Sequence, residues 1–271
     1  MQSSDQNAGQ WSGIASDYER AFEPLTSQIA GEVLRLLDVR PGGRVIDVAA
    51  GTGAFSLAAA RAGLNVLATD FASGMIARLR ERIAKQNSGR IAAGVMDGQA
   101  LAVPDAAFDA AVSILGIMFF PDIRKGLTEC RRVIHPDGKA AIVTWGDIRK
   151  LQAHTFLMQA INQAVPGFRQ PAVPPVWMRL AGADSLSREM KDAGFREVAM
   201  NTSIFLFPIE SPQTFWSDFT ASAPPLAYLF RQLGPERKAA VGSVFLDLLA
   251  KGTDRDHPSL TAEVCIGIGR P

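Results

Sequence analysis

The segment Arg44-Val-Ile-Asp-Val-Ala-Ala-Gly-Thr-Gly-Ala-Phe-Ser56 constrains the fold more than any other. Val45, Ile46 and Val48 form a short β-branched apolar run of the kind buried in a parallel sheet. Asp47 interrupts that run, Gly51 and Gly53 then bracket a tight turn, and the Ala- and Leu-rich stretch Phe55 to Ala62 reads as a helix. A strand that passes through a glycine turn into a helix start brings backbone N–H groups close to a ligand, and glycine lets the ligand approach without meeting a Cβ. An ordinary strand–helix turn has the same outline, so the downstream segments decide between the two.

A second strand, Asn65 to Thr69, ends at Asp70. A carboxylate about 20 residues past such a turn can hold both hydroxyls of an adenosine ribose. The competing role is a cap for the helix Ser73 to Lys85, for which Ser73 is the better residue. To this point a nicotinamide dinucleotide and S-adenosylmethionine (SAM) both fit. The glycine pattern leans away from the dinucleotide, whose third glycine would fall at Ser56. A third strand, Ile91 to Met96, ends at Asp97-Gly98-Gln99, where an acid and a backbone N–H can grip adenine. A fourth strand follows at Ala110 to Leu115, then a helix from Asp122 to Ile134, the turn His135-Pro-Asp-Gly138, and a fifth strand from Ala140 to Trp145.

Taken in order, Val-Ile-Asp-Val-Ala-Ala-Gly-Thr-Gly, Ala-Thr-Asp-Phe-Ala-Ser-Gly-Met, Met-Asp-Gly-Gln-Ala-Leu, Phe-Asp-Ala-Ala-Val-Ser and Arg-Arg-Val-Ile-His-Pro-Asp-Gly resemble a class I SAM-dependent methyltransferase. The likeness is to the broad group of ubiquinone/menaquinone C-methyltransferases and natural-product methyltransferases, and it covers Trp11 to Trp145. Two departures stand out. Ala49 takes the place of the usual first glycine, and Gly116, Ile117 and Met118 stand where many relatives carry histidines.

The resemblance implies an α/β fold: a Rossmann-like, seven-stranded, mostly parallel sheet with helices on both faces, an antiparallel last strand and helical lid insertions. It implies SAM as cofactor, with Tyr18, Asp47, Ala49, Gly51, Gly53, Asp70, Phe71, Met75, Asp97, Gly98, Gln99 and Ser113 as the cofactor-binding set. In that family the N-terminal helix lies across the cofactor and the tyrosine matching Tyr18 faces the sulfonium, where a ring favours the cation.

Beyond Trp145 the pattern is less regular. Ile148 to Ala164 has helical spacing with Leu151, Thr155, Met158 and Ile161 on one face, and Pro166, Pro171, Pro174 and Pro175 then break any long element. Helices are expected at Ser185 to Ala193, Ser211 to Thr220 and Pro235 to Lys251, and strands at Arg196 to Pro208 and Leu260 to Gly269. The chain then divides as a single domain, 1–271. It has a disordered tail at 1–10, a helical lid at 10–30 and two insertions, 147–182 and 209–256, that overhang the carboxyl ends of the strands. Aromatic residues crowd these insertions, which suits an apolar substrate chamber; Phe22, Gly116, Phe119, Trp145, Trp177 and Trp216 are its expected walls.

Catalytic candidates are few. Of three histidines, His135 lies in a turn and His257 in a polar loop, which leaves His154 and Tyr18. In-line displacement at the methyl carbon can proceed mainly by alignment. The function expected is methyl transfer to a small apolar or aromatic metabolite, with S-adenosylhomocysteine (SAH) as product. A nicotinamide-dependent oxidoreductase and a non-catalytic SAM-binding regulator are the alternatives. A net charge of +1 with no basic run argues against nucleic acid, and no apolar run approaches a membrane span. No signal peptide pattern is present, and Cys130 and Cys265 read as buried free thiols, which together point to the cytoplasm. No Cys/His spacing or acidic triad suggests a metal.

Overall fold

Seven strands form one sheet in the order β3-β2-β1-β4-β5-β7-β6. The structure is a computed structural model that describes residues 6–169, 175–254 and 257–271. The strands are β1 (Arg44–Val48), β2 (Asn65–Asp70), β3 (Ile91–Val95), β4 (Phe108–Ile114), β5 (Ile134–Trp145), β6 (Arg196–Pro208) and β7 (Ser259–Arg270). Pairings from β3 through β5 are parallel, as in Val45 opposite Val66 and Val45 opposite Ala110. β7 runs antiparallel to both of its neighbours, β5 and β6. This is the Rossmann-like sheet with one antiparallel strand that the sequence leads one to expect. The central strands are apolar on both faces because helices cover both: Val45, Ile46 and Val48, and Ala110, Ala111 and Val112, are buried.

The helices are α1 (Ala8–Gly13), α2 (Ala15–Leu37), α3 (Ala54–Arg61), α4 (Ser73–Gln86), α5 (Ile123–Arg132), α6 (Gln152–Ala164), α7 (Ala183–Asp192), α8 (Pro212–Ala221) and α9 (Pro224–Gly252). α2 packs with α3 and crosses β4 to β6, whereas α5 and α7 pack together against β4 to β7. Leu25, Ile29, Val33 and Leu37 are the buried stripe of α2, at the spacing of one helix face.

Several local expectations are corrected. Helix α1 begins at Ala8, inside the stretch expected to be a tail; residues 1–5 of that tail lie outside the described residues. Asn7 explains the start, because its side chain accepts from Gln10 N at 3.1 Å and caps the helix. Ser73 does not cap α4; Ala72 holds the cap position, and Ser73 Oγ lies 3.5 Å from Ser12 Oγ. The buried face of α6 is Ala153, Leu157, Ala160 and Ile161, rotated from the expected stripe. A short 3-10 turn at Ile148–Lys150, capped by Asp147, precedes α6 and sets that rotation. α9 starts eleven residues before Pro235, at Pro224. Pro224 and Pro225 occupy first-turn positions that need no N–H donor, and the expected start at Pro235 is marked only by a kink at Gly234, φ 77°. Pro171 and Pro174 lie outside the described residues. Cys130 and Cys265 are buried free thiols, and burial pushes the Cys130 thiol up to about 12.

Candidate active site at the carboxyl ends of the parallel strands

The loop after β1 is built for close approach. Gly51 and Gly53 have φ of 55° and 90°, and Ala49 adopts 57° although it has a Cβ. Holding an alanine in the left-handed region costs about 1–2 kcal/mol. The Ala49 side chain fills the space in front of Gly116, where an added Cβ would lie 2.5 Å from the Ala49 Cβ. Gly116 therefore supplies the room that Ala49 takes up. Gly53 is not in the cavity wall; it admits Leu79 of α4, whose Cγ would lie 3.2 Å from an added Cβ.

Asp70, at the end of β2, is buried and pinned by two main-chain donors. Gly51 N donates to Oδ2 and Ala72 N to Oδ1, each at 2.9 Å. Burial raises its carboxyl to about 6, against the lowering by those two bonds. Asp70 lines the cavity, and each of its oxygens, with one main-chain donor, keeps capacity for a second hydrogen bond. Asp47 is also buried, but beneath the loop: Ser56 Oγ donates to it at 2.6 Å, and it does not reach the cavity. Desolvation raises Asp47 to about 7, and the Asp70 charge adds to the rise. Ser113 is the other exception in the expected cofactor set. It is fully buried below Gly116, outside the cavity wall, and its Oγ has no partner among the described residues.

The third strand's end adds to the wall of the same cavity. Asp97 Oδ1 accepts from Gln99 N at 2.9 Å, so the acid is held beside Gly98. An added Cβ at Gly98 would lie 2.7 Å from Phe120 Cε2 and 2.8 Å from Val48 Cγ1. Phe71, Met75, Asp97, Gly98 and Gln99 line the same cavity as Ala49, Gly51 and Asp70.

The N-terminal helices close this end. Tyr18 covers Gly51, with its Cε1 3.3 Å from where a Gly51 Cβ would stand. Its ring stacks on Phe22 at 5.4 Å and meets Trp11 edge-on at 6.1 Å. Burial, with Glu23, Asp70 and Asp47 nearby, raises the phenol far above its ordinary value, so Tyr18 stays neutral. Three ion pairs tie α2 to α4: Arg78 to Glu19, Arg82 to Glu23 at 2.6 Å and Arg82 to Glu19 at 3.7 Å. Arg82 also donates to Thr52 O at 2.8 Å and so fixes the glycine loop itself. Ser12 Oγ accepts from Gly74 N at 3.1 Å, and only a glycine fits there: an added Cβ would stand 2.6 Å from the Ser12 Cα.

The cavity, of about 190 Å³, continues away from Asp70 between the strand ends and the insertions. That is many times the space one buried water needs. Its apolar walls include Phe22, Gly116, Phe119, Trp145 and Trp177 from the expected substrate set. Trp216 is the exception. It lies against α9, 5.3 Å from the Phe230 ring and 5.1 Å from that of Phe245, and an added Cβ at Gly242 would lie 2.7 Å from its Nε1. Successive residues of a helix turn by about 100°. Phe215 and Phe219, four apart, share the inward face of α8, Phe219 lines the cavity, and Trp216 points elsewhere.

Sequence reasoning missed Leu157, Phe207, Met118 and Leu226 as walls. Leu157 lies one turn beyond His154, a spacing visible in the sequence; for Phe207, at the end of an alternating strand, the signal was weaker. His154 itself lines the cavity, edge-on to Trp177 at 5.4 Å, and burial lowers its pKa. His135 is exposed at the start of β5, and no cluster of potential metal ligands occurs among the described residues.

Comparison with known proteins agrees with this geometry. The profile of the methyltransferase domain family matches residues 46–142. An uncharacterized protein of Mycobacterium tuberculosis is 33% identical over 129 residues, 48% of this chain and 47% of that protein, so the match spans about half the length of such relatives. The ubiquinone/menaquinone biosynthesis C-methyltransferase UbiE of Geobacter sulfurreducens is 30% identical over 60% of this chain and 69% of its own length. Demethylmenaquinone methyltransferase of Renibacterium salmoninarum is 30% identical over 72% of this chain and 86% of its own. Among solved structures, the YcgJ protein of Bacillus subtilis superposes with a TM-score of 0.58 at 15% identity, covering 89% of this chain and 97% of that one. The [4+2]-cyclase SpnF gives 0.56 at 17%, covering 90% and 80%. At such identities these two structures show the fold alone. The sequence relatives show the family: the chain belongs to the class I SAM-dependent methyltransferases, in the UbiE-like group.

Proposed function

We propose that this protein transfers a methyl group from SAM to a small apolar or aromatic molecule held beneath the lid. One observation carries the reading: a single cavity joins Asp70, Asp97 and the glycine loop to an apolar chamber walled by Phe22, Phe119, Trp145 and Trp177. The residues present fit the cofactor, because Asp70 has lone pairs for a ribose diol and Gly51 keeps the space under Tyr18 free of a Cβ. When bound, SAM supplies an electrophilic methyl group. The chain's own work is to hold the ribose through Asp70, cover the sulfonium with Tyr18, and exclude water with the insertions at 147–182 and 209–256. The site proposed is the expected set less Asp47, Gly53, Ser113 and Trp216, which support it from behind.

The nicotinamide alternative has less support. The third position of its glycine fingerprint is Ser56, whose hydroxyl is committed to Asp47. A small-molecule substrate in the cytoplasm, rather than a nucleic acid, fits the net charge of +1 and the two buried free thiols. No helix among the described residues is long and apolar enough to cross a membrane. Isothermal titration decides the cofactor: SAM and SAH bind, while NAD and NADP give no heat. Binding of NAD without SAM overturns the reading.

A further inference from the structure

The chamber wall is chemically lopsided. The walls contributed by the loop after β4, by α6, by the end of β6 and by α8 and α9 are almost wholly apolar. Trp145 and Trp177 offer indole N–H donors there, but His154 carries the sole strong side-chain acceptor on those walls among the described residues. Its imidazole makes no hydrogen bond among the described residues. It is held by packing instead, edge-on to Trp177, with interplanar angle 78°. The short 3-10 turn that carries Trp177, Val176–Met178, is tied to the loop after β4, because its capping residue Arg179 donates to Phe120 O at 2.6 Å. A polar ring oriented by its neighbours, half-buried in a cavity wall and left unpaired, costs stability that a ligand partner would recover.

The charges of the wall narrow what that partner is. No lysine or arginine lines the cavity among the described residues, so a carboxylate or phosphate substrate would enter with nothing to neutralise it. The two carboxylates that line it, Asp70 and Asp97, are at the cofactor end, at the tips of β2 and β3, and are the groups assigned above to the cofactor rather than to the substrate. An ammonium group in the chamber would find no free counter-charge. A neutral molecule with one hydroxyl meets both conditions.

Resting on the reading above, we propose that the substrate is an uncharged, apolar molecule bearing a hydroxyl, that His154 accepts the hydroxyl proton, and that the methyl group goes to that oxygen. In the balanced step the O–H bond breaks and its proton is taken by a lone pair of the imidazole. The oxygen's freed electron pair forms the new O–CH₃ bond as the S–CH₃ bond breaks, and that bond's electrons stay on sulfur. The products are a methyl ether, neutral SAH and an imidazolium that returns its proton to solvent. Burial favours the neutral imidazole, the form able to accept a proton. The catalytic histidine is thus supplied by the first insertion helix, whereas the loop after β4 presents Gly116, Ile117 and Met118.

The test uses the SAH-saturated protein and three probes of one shape: 2-naphthol, 2-methoxynaphthalene and 2-naphthoate. Calorimetry should show 2-naphthol binding at least about tenfold tighter than its methyl ether, the worth of one hydrogen bond to a buried acceptor, and 2-naphthoate weakest. His154→Phe should erase the naphthol preference while SAH affinity is unchanged. His154→Gln, which keeps an acceptor, should restore the preference. With SAM present, wild type should convert 2-naphthol to 2-methoxynaphthalene, and both variants should lose about 10²-fold or more in kcat. The proposal is overturned by equal binding of naphthol and its ether, by a preference that survives His154→Phe, by methylation at a ring carbon, or by full turnover in His154→Gln. Failure of SAH itself to bind would instead overturn the functional reading beneath it.

Discussion

Gly74→Ala sets two well-sized effects against each other. Gly74 is near the N-terminus of α4, and replacing a helical glycine with alanine ordinarily stabilises by up to about 1 kcal/mol. The same methyl group would stand 2.6 Å from Ser12 Cα and 2.8 Å from Ser12 C. These are backbone atoms and cannot rotate aside, so the last turn of α1 must lift off α4. Lifting it breaks the bond from Gly74 N to Ser12 Oγ, worth about 1 kcal/mol, and exposes part of Trp11, which is 8% accessible when docked. Fully exposing a large apolar side chain costs about 2–3 kcal/mol, so a partial loss of about 1–2 kcal/mol is reasonable. Lid docking then weakens by about 2–3 kcal/mol, while the sheet, which the lid does not build, keeps or slightly gains stability. A ligand that requires the closed lid loses affinity in proportion to the closed population, so the Kd for SAH should rise about 10- to 100-fold. The ion pairs Arg78–Glu19 and Arg82–Glu23 still tether α2 and limit the loss. Calorimetry with SAH, together with hydrogen exchange over residues 8–20, measures both sides. Unchanged SAH affinity and unchanged protection of that segment would refute the claim that Gly74 exists to seat the lid.

Asp70→Ala removes the acceptor for Gly51 N and Ala72 N as well as the proposed ribose contact. SAM affinity should fall by one to two decades, with a lower Tm from the two stranded donors; unaltered SAM affinity in folded protein would make Asp70 a loop-bracing residue only. Asp70 and Asp47 are raised by burial to about 6 and about 7, above an ordinary value of 3.8. The folded protein therefore binds more protons than the unfolded chain between pH 4 and 7. The stability these groups confer is complete below pH 4 and is lost as pH rises through 6 and 7. Ligand-free Tm should rise when pH is lowered from 8 to 5.5, whereas the Tm increment given by SAH should shrink below pH 6 as the Asp70 carboxylate is protonated. A ligand-free Tm that falls over that interval would contradict the burial argument. Trp177→Ala should weaken the binding of 2-naphthol with little change in Tm, and Trp216→Ala should do the reverse, since Trp216 packs inside the lid against α9. Equal effects of both on naphthol binding would refute the assignment of walls.

The cofactor end was readable because strand, turn and helix follow one another directly. Once β1, β2 and β3 are recognised, Gly51, Asp70 and Asp97 must stand at adjacent strand ends, whatever the rest of the chain does. Position along the strand separated members of that set: Asp47 and Ser113 each sit one position inside a strand end and lie outside the cavity wall, whereas Asp70 stands at the end of β2. The chamber was harder. Whether Trp216 or Phe219 faces the cavity depends on the rotation of α8, which is set by how Phe215, Phe219 and Phe245 stack, and that contact joins segments far apart in the chain. The stripe of α6 slipped for a similar reason, because Asp147 and Glu263 fix the turn before it: Asp147 N donates to Glu263 at 2.9 Å across 116 residues. A local signal did exist for α1 in Asn7 three residues before Gln10, but the polar composition of the segment concealed it.

The place of β7 in the sheet has a consequence for how the chain is made. β6 reaches the sheet only through β7, which lies between it and β5, and β7 is formed by residues 259–270. A ribosome that has delivered residues up to 250 has produced a five-stranded sheet with an open edge at β5 and a 13-residue strand with nowhere to pair. Neither Ala199 to Phe207 nor the open edge of β5 from Ala140 to Trp145 contains a charge, apart from those at the strands' beginnings, so both are prone to join with other chains during that interval. Residues 259–270 therefore decide when both edges are protected: β7 slides between its two neighbours and closes the edge of β5 and the edge of β6 at once.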